Sequence, residues 1–136
     1  MNDPLKIFLI DDDMEDVFLI KRAFEKTDHN IIFKHLGDGY KFLNDVINGG
    51  YQKVDTNSSV FLLDINMPEV SGFDILRTMH KTSHTKYFKF LMLSTSESEA
   101  DKSLALKLGA EQFFSKPSRF DDLKILASEI IKQYGR

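Results

Sequence analysis

The chain has 136 residues, enough for one domain with its own apolar core. Hydrophobic residues make up 42% and charged residues 29%, and the formal net charge of −3 gives no expectation of a nucleic acid or an anionic membrane as partner. There is no cysteine, which excludes disulfides, thiol catalysis and cysteine-based zinc sites.

The N-terminus, Met1-Asn2-Asp3-Pro4, carries no basic segment ahead of an apolar one, and no apolar run approaches membrane-spanning length. A cytoplasmic protein is the expectation. Leu5 to Ile10 is a short apolar run of the kind that forms a strand buried on both faces, and it ends in Asp11-Asp12-Asp13. A helix follows, with Asp13 as its N-cap and Asp16 in the first turn, where a negative charge suits the helix dipole. Val17, Ile20 and Phe24 give it an apolar stripe, and His29-Asn30 ends it. Ile31 to Leu36 reads as the second strand, Gly37-Asp38-Gly39 as a turn and Tyr40 to Ile47 as a short helix. Asn48 to Ser59 reads as a loop or frayed helix end.

Val60-Phe61-Leu62-Leu63 then runs straight into Asp64, followed by Ile65-Asn66-Met67-Pro68 and Gly72. This is the grammar of a central strand delivering a carboxylate to its C-terminal end, the edge at which open α/β sheets bind ligands. Gly72 to His84 reads as a helix with Phe73, Leu76 and Met79 or His80 on one face. Phe88 to Leu93 is the fourth strand, ending in Ser94-Thr95-Ser96. Ser98 to Leu108 is a helix closed by Gly109. Gln112 to Ser115 is the fifth strand, ending at Lys116-Pro117, and Arg119 to Tyr134 is the last helix, with Leu123, Leu126, Ala127, Ile130 and Tyr134 as its stripe.

Strands alternating with helices imply a parallel sheet covered on both faces. The expectation is a single domain over residues 1–136 with no output domain attached. In such a sheet the strand ends converge, bringing Asp11 and Asp12, Asp64, Ser94-Thr95 and Lys116 to one edge. Crowded carboxylates repel one another and call for a cation. Oxygen ligands without His or Cys favour a hard ion such as magnesium, with manganese as an alternative. A lysine and a hydroxyl beside an aspartate suit a transferring phosphoryl group, and an aspartate can itself be the nucleophile. The residues therefore point to metal-assisted phosphoryl transfer onto a carboxylate. No Gly-x-Gly-x-x-Gly follows the first strand, so no dinucleotide site is expected. His80 and His84 have zinc spacing but lack a third ligand.

The acid pair Asp11-Asp12, the segment Asp64-Ile65-Asn66-Met67-Pro68 with Gly72, the hydroxyl at Ser94 and Lys116-Pro117 together resemble a response-regulator receiver domain over nearly the whole chain. That resemblance implies a flavodoxin-like doubly wound (βα)5 three-layer sandwich with sheet order 2-1-3-4-5. It implies two-component signalling rather than enzyme action on a separate substrate, with self-directed phosphoryl transfer and autodephosphorylation. Asp64 would accept the phosphoryl group from a sensor histidine kinase or histidine phosphotransfer protein. Asp12 and Asp64 would ligate magnesium, with the backbone carbonyl of Asn66, and Asp11 would act largely through water. Ser94 and Lys116 would hold phosphoryl oxygens. Ser94 and Phe113 would form the switch, Asn66 and Ser96 would tune the lifetime of the acyl phosphate, and a cis peptide at Lys116-Pro117 would aim the lysine inward.

The output surface implied is the last two helices with the fifth strand, acting on a downstream protein the sequence does not name and leaving a homodimer open. The run Asp12-x-x-x-Asp16-Val17 is similar to single-domain regulators paired with phytochrome-type kinases. Spacing selects Ser94 over Thr95, and the N-cap role takes Asp13 out of the acid pair. Phe113 stands where tyrosine is frequent and by its own pattern reads as a core residue; Phe114 points to the opposite face and is the core residue of the two if only one is buried. Two other readings stay open. One is an aspartyl-phosphate hydrolase of haloacid-dehalogenase type, which wants an aspartate where Asn66 stands. The other is a degenerate receiver that binds partners without phosphorylation.

Overall fold

The computed structural model describes residues 3–51, 57–82 and 88–135. Five strands, β1 (Leu5–Ile10), β2 (Ile31–His35), β3 (Ser59–Asp64), β4 (Phe90–Ser94) and β5 (Gln112–Ser115), form one parallel sheet in the order β2-β1-β3-β4-β5. Between and after them lie α1 (Met14–Thr27), α2 (Gly39–Ile47), α3 (Gly72–Lys81), α4 (Glu99–Lys107) and α5 (Phe120–Tyr134). The expected topology and the strand order are both met. Among the described residues no helix is long and apolar enough to cross a membrane.

The apolar runs pack as their alternation requires. Phe8, Ile10, Phe61, Leu63, Phe90 and Met92 face one side and meet α2 and α3 through Phe42, Ile75, Leu76 and Met79. Ile7, Leu9, Leu62, Leu91 and Leu93 face the other and meet α1 and α5 through Val17, Ile20, Phe24, Leu126 and Ile130. Every residue of β3 is buried, as a central strand covered on both faces demands. Phe61 stacks on Phe8 at 4.8 Å between ring centroids and also contacts Phe42, Phe88 and Phe90. That aromatic cluster fixes the level of the sheet from which Asp64 emerges.

Local chemistry sets the helix starts. Asp13 caps α1 by accepting the N–H groups of Glu15 and Asp16. Ser71 and Asp74 form a reciprocal capping box on α3. Helix α3 stops at Lys81, short of the expected His84, which with half of the zinc-spaced pair lies outside the described residues. Its buried face is Gly72, Ile75, Leu76 and Met79, while His80 is exposed. The expected 48–59 loop is described only in part. Tyr51 at its start packs its ring edge-on against Phe8 at 6.1 Å, so that position adds to the core rather than standing in solvent.

The peptide bond before Pro117 corrects an expectation. No cis peptide occurs among the described residues, so Lys116-Pro117 is trans. Trans is the lower-energy form of X–Pro bonds, and the path of β5 brings Lys116 inward without the other isomer. Phe113 and Phe114 do point to opposite faces, toward the α2/α3/α4 and α1/α5 layers respectively, but both remain half-buried because β5 is an edge strand.

Gly72 shows how tightly the site loop is packed. A Cβ there would lie 2.6 Å from the Asp64 carbonyl oxygen and 2.9 Å from Ile65 Cα. Both are backbone atoms of the site strand, so they cannot yield by changing rotamer. Gly72→Ala is expected to destabilise the protein by about 2 kcal/mol in urea unfolding, within the range for overpacked interiors; an unchanged midpoint would show that the loop relaxes freely.

Candidate functional site

Strand order reverses between β1 and β3, and a crevice opens outside their carboxyl ends. Asp12, Asp13, Asp16, Asp64, Asn66, Thr95 and Lys116 line a cleft of ≈ 280 Å³ there. Carboxylate oxygens of Asp11, Asp12 and Asp64 all lie within 4.8 Å of one another. Asp11 and Asp64 are buried and Asp12 is exposed, so the cluster has a closed floor and an open side.

Asp11 is held by its backbone and by one oxygen. Its N–H donates to the Gly37 carbonyl, and its Oδ1 accepts the Asp13 N–H at 2.9 Å. The Nε2–H of His35, at the end of β2, donates to the Asp11 carbonyl at 2.7 Å. The other carboxylate oxygen of Asp11, Oδ2, is buried without a hydrogen bond, with the Lys116 ammonium 3.5 Å away. Asp64 Oδ1 accepts the Asn66 N–H and the Lys116 Nζ, each at 3.3 Å. An under-satisfied buried oxygen beside two more carboxylates is a donor set that fits a hard divalent cation. Asp11, Asp12 and Asp64 are the residues able to hold one.

Electrostatics follow from burial. Burial pushes the Asp11 carboxyl up to about 7, against the Asp13 N–H and the Lys116 charge, which act to lower it. Burial likewise raises Asp64 above the ordinary carboxylate range despite Lys116. For Lys116 burial disfavours the charge, but the Asp11, Asp64 and Asp16 carboxylates outweigh it and raise its pKa, so it stays an ammonium.

The hydroxyl side is organised separately. Ser94 ends β4, fully buried, and its Oγ accepts the Ser96 N–H at 2.9 Å. Ser94 does not line the cleft; Thr95 does, accepting a hydrogen bond from the Asn66 side-chain amide at 3.2 Å. Ser96 turns away from the cleft and donates to Asp101 of α4 at 2.8 Å. Phe113 lies beneath, half-buried on β5. The structure therefore gathers Asp12, Asp64, Asn66 and Lys116 around one cleft with Asp11 buried against them, and keeps Ser94 at the end of β4 and Ser96 in the adjoining β4–α4 loop.

Two contacts escape a reading of the sequence. Lys116 Nζ donates to Asp16 Oδ2 at 3.0 Å, the shortest of its three carboxylate contacts. Asp16 has a local explanation as a first-turn acid, and its other signal in the sequence was its place in the run Asp12-x-x-x-Asp16-Val17. His35 was read only as strand, and nothing in its immediate sequence marks it.

A family model described as "Response regulator receiver domain" matches residues 7–128. Among curated proteins, the transcriptional regulatory protein CpxR of Escherichia coli (strain K12) is 34% identical over 122 residues, covering 90% of this chain and 46% of CpxR. The chain thus spans about half the length of that relative. The "Probable methanogenesis regulatory protein FilR2" of Methanothrix harundinacea is 30% identical over 134 residues, covering 97% of this chain and 84% of FilR2. Among solved structures, the phosphorylated cyanobacterial phytochrome response regulator RcpA superposes with a TM-score of 0.80 at 23% identity, covering 96% of this chain and 94% of that one. The Mn(2+)-bound form of response regulator Rcp1 gives 0.74 at 23% identity, covering 95% and 93%.

The raised pKa of Asp11 has a stability consequence. Between its ordinary 3.8 and about 7 the folded protein holds a proton that the unfolded chain has lost, so this group favours folding at low pH and turns against it as pH rises to 7. In chelator-treated protein at pH 8, Asp11→Asn is expected to raise Tm by about 5 °C, and the gain should vanish near pH 4. Thermal melts followed by circular dichroism would read this; a lower Tm at pH 8 would contradict it.

Proposed function

This chain belongs to the response regulator receiver domain family, a signalling domain of two-component systems, and on that premise we propose that Asp64 is its phosphoacceptor. The observation that carries the reading is the meeting of Lys116 Nζ with Asp64 Oδ1 at 3.3 Å and with Asp11 Oδ2 at 3.5 Å, beside the Asp12 carboxylate. A nucleophilic carboxylate, a cation site and a fixed ammonium are what acyl phosphate formation requires.

An Asp64 carboxylate oxygen attacks the phosphorus of a phosphohistidine on a sensor kinase or phosphotransfer protein. The P–N bond breaks with its electron pair kept by the imidazole nitrogen, and the new P–O bond makes the acyl phosphate. Magnesium, with manganese as substitute, would be held by Asp12 and Asp64, with Asp11 and the Asn66 carbonyl in support, and would screen the charge of the arriving group. Lys116 pairs with one phosphoryl oxygen as a point charge. Ser94 turns its hydroxyl from the Ser96 N–H toward another, and this draws on the β4–α4 loop. Asn66 with Thr95 flanks the acceptor, and Ser96 acts from the β4–α4 loop through Asp101; together they set how readily water reaches the acyl phosphate.

The output is a shift of a pre-existing equilibrium at the α4–β5–α5 surface, with Phe113 following Ser94, which alters binding of a downstream protein in the cytoplasm. Hydrolysis of separate phosphate esters is set aside by the family and by Asn66 standing where such enzymes need an acid.

Incubation with magnesium and acetyl phosphate should add one phosphoryl group by intact mass. The adduct should disappear in Asp64→Asn and when magnesium is chelated. An unmodified wild type would overturn the phosphoacceptor reading in favour of a receiver that binds partners without phosphorylation.

A further inference from the structure

We propose that Asp16 is a positioning residue that holds Lys116 in the unphosphorylated protein and competes with the phosphoryl group for it. The inference rests on the phosphoacceptor reading above and adds a residue to it.

Lys116 Nζ reaches three carboxylates, and its contact with Asp16 Oδ2 at 3.0 Å is shorter than those with Asp64 at 3.3 Å and Asp11 at 3.5 Å. The three partners differ in kind. Asp11 and Asp64 form the floor of the cation cluster, whereas Asp16 is not part of that cluster and stands on the first turn of α1 at the rim of the cleft. A cation seated among Asp11, Asp12 and Asp64 takes up the charge of two of the lysine's partners. Asp16 is then the carboxylate left with full charge for the ammonium.

Among the described residues the Asp16 side chain makes no hydrogen bond or ion pair other than that with Lys116, and its first-turn charge suits the helix dipole without tying it to another partner. The start of α1 is capped by Asp13, whose Oδ1 accepts the N–H of Asp16 itself at 3.3 Å, so the Asp16 side chain is free to reach across to Lys116. The contact joins positions 100 residues apart and ties α1 to the end of β5. The Lys116 side chain is 11% exposed and that of Asp16 34%, so the pair is partly screened and its strength is modest. A weak hold suits a competitor that a phosphoryl dianion must displace.

Removing the Asp16 charge should therefore act in opposite senses on cation and anion. Freed from Asp16, Lys116 settles on Asp11 and Asp64, the cation's own ligands, and the cleft also loses one negative charge, so the divalent ion binds less well. With the ion in place, the same lysine is free for an incoming phosphoryl group and that group meets less repulsion.

The test is calorimetric titration of the full chain with Mg2+ alone, then with beryllofluoride, a phosphoryl stand-in, at saturating Mg2+. Asp16→Asn should weaken Mg2+ binding about threefold and tighten beryllofluoride about threefold, the size of a partly screened ion pair. Asp16→Glu should restore both toward wild type, which loss of fold would not do. Two affinities that fall together, or that do not move, would overturn the competition. A wild type that binds Mg2+ but takes up no beryllofluoride would overturn the phosphoacceptor reading and this inference with it.

Discussion

The central strands of a parallel sheet covered on both faces meet solvent at their ends, and here one such edge collects Asp11, Asp12, Asp64 and, from the first turn of α1, Asp16. Their mutual repulsion in a half-dry cleft is the constraint to which the surrounding structure answers. Lys116 supplies one positive charge against four acids, and burial lifts the two innermost carboxyls above their ordinary range. The resting site is thus left short of positive charge, and a divalent cation is the kind of ligand that corrects it. The same shortage keeps Lys116 protonated, so the charge needed by a phosphoryl oxygen is in place beforehand.

The scaffold under this cleft is stiff where position matters. The wholly buried β3 and the Phe8, Phe42, Phe61 and Phe90 cluster fix the height of Asp64, and Gly72 lets α3 start directly against the Asp64 carbonyl. The other flank is looser. From Ser94 a line of hydrogen bonds passes through the Ser96 amide and hydroxyl to Asp101 on α4. That helix buries only Ala105 and leaves Leu106 43% exposed. An element with little buried apolar surface is the easier one to shift. Rigidity on the acceptor side and slack on the hydroxyl side divide chemistry from response within one sheet edge.

Much of this was legible in the residues. Apolar runs of four to six residues marked β1 and β3, since a strand covered twice has no polar face to show. The cap at Asp13 was readable because a cap is a contact across two or three residues. The acids and the lysine could be assigned to one edge from the alternation of strands and helices alone, because parallel strands end on one side. The Lys116-Pro117 isomer and the end of α3 were misjudged. Both depend on how the chain meets its neighbours, and a proline is compatible with either isomer.

By itself the sequence determined the alternation, the two apolar faces of the sheet and the kinds of group at its strand ends, all of which follow from periodicity and chain-neighbour chemistry. Only the tertiary structure decided the partners. It set Asp16 on Lys116, Thr95 rather than Ser94 at the lip of the cleft, Asn66 on Thr95, and His35 on the Asp11 carbonyl. These contacts join segments 24 to 100 residues apart. Their distances depend on sheet order and twist and on how far one side chain reaches, and none of those is encoded in any local run of residues.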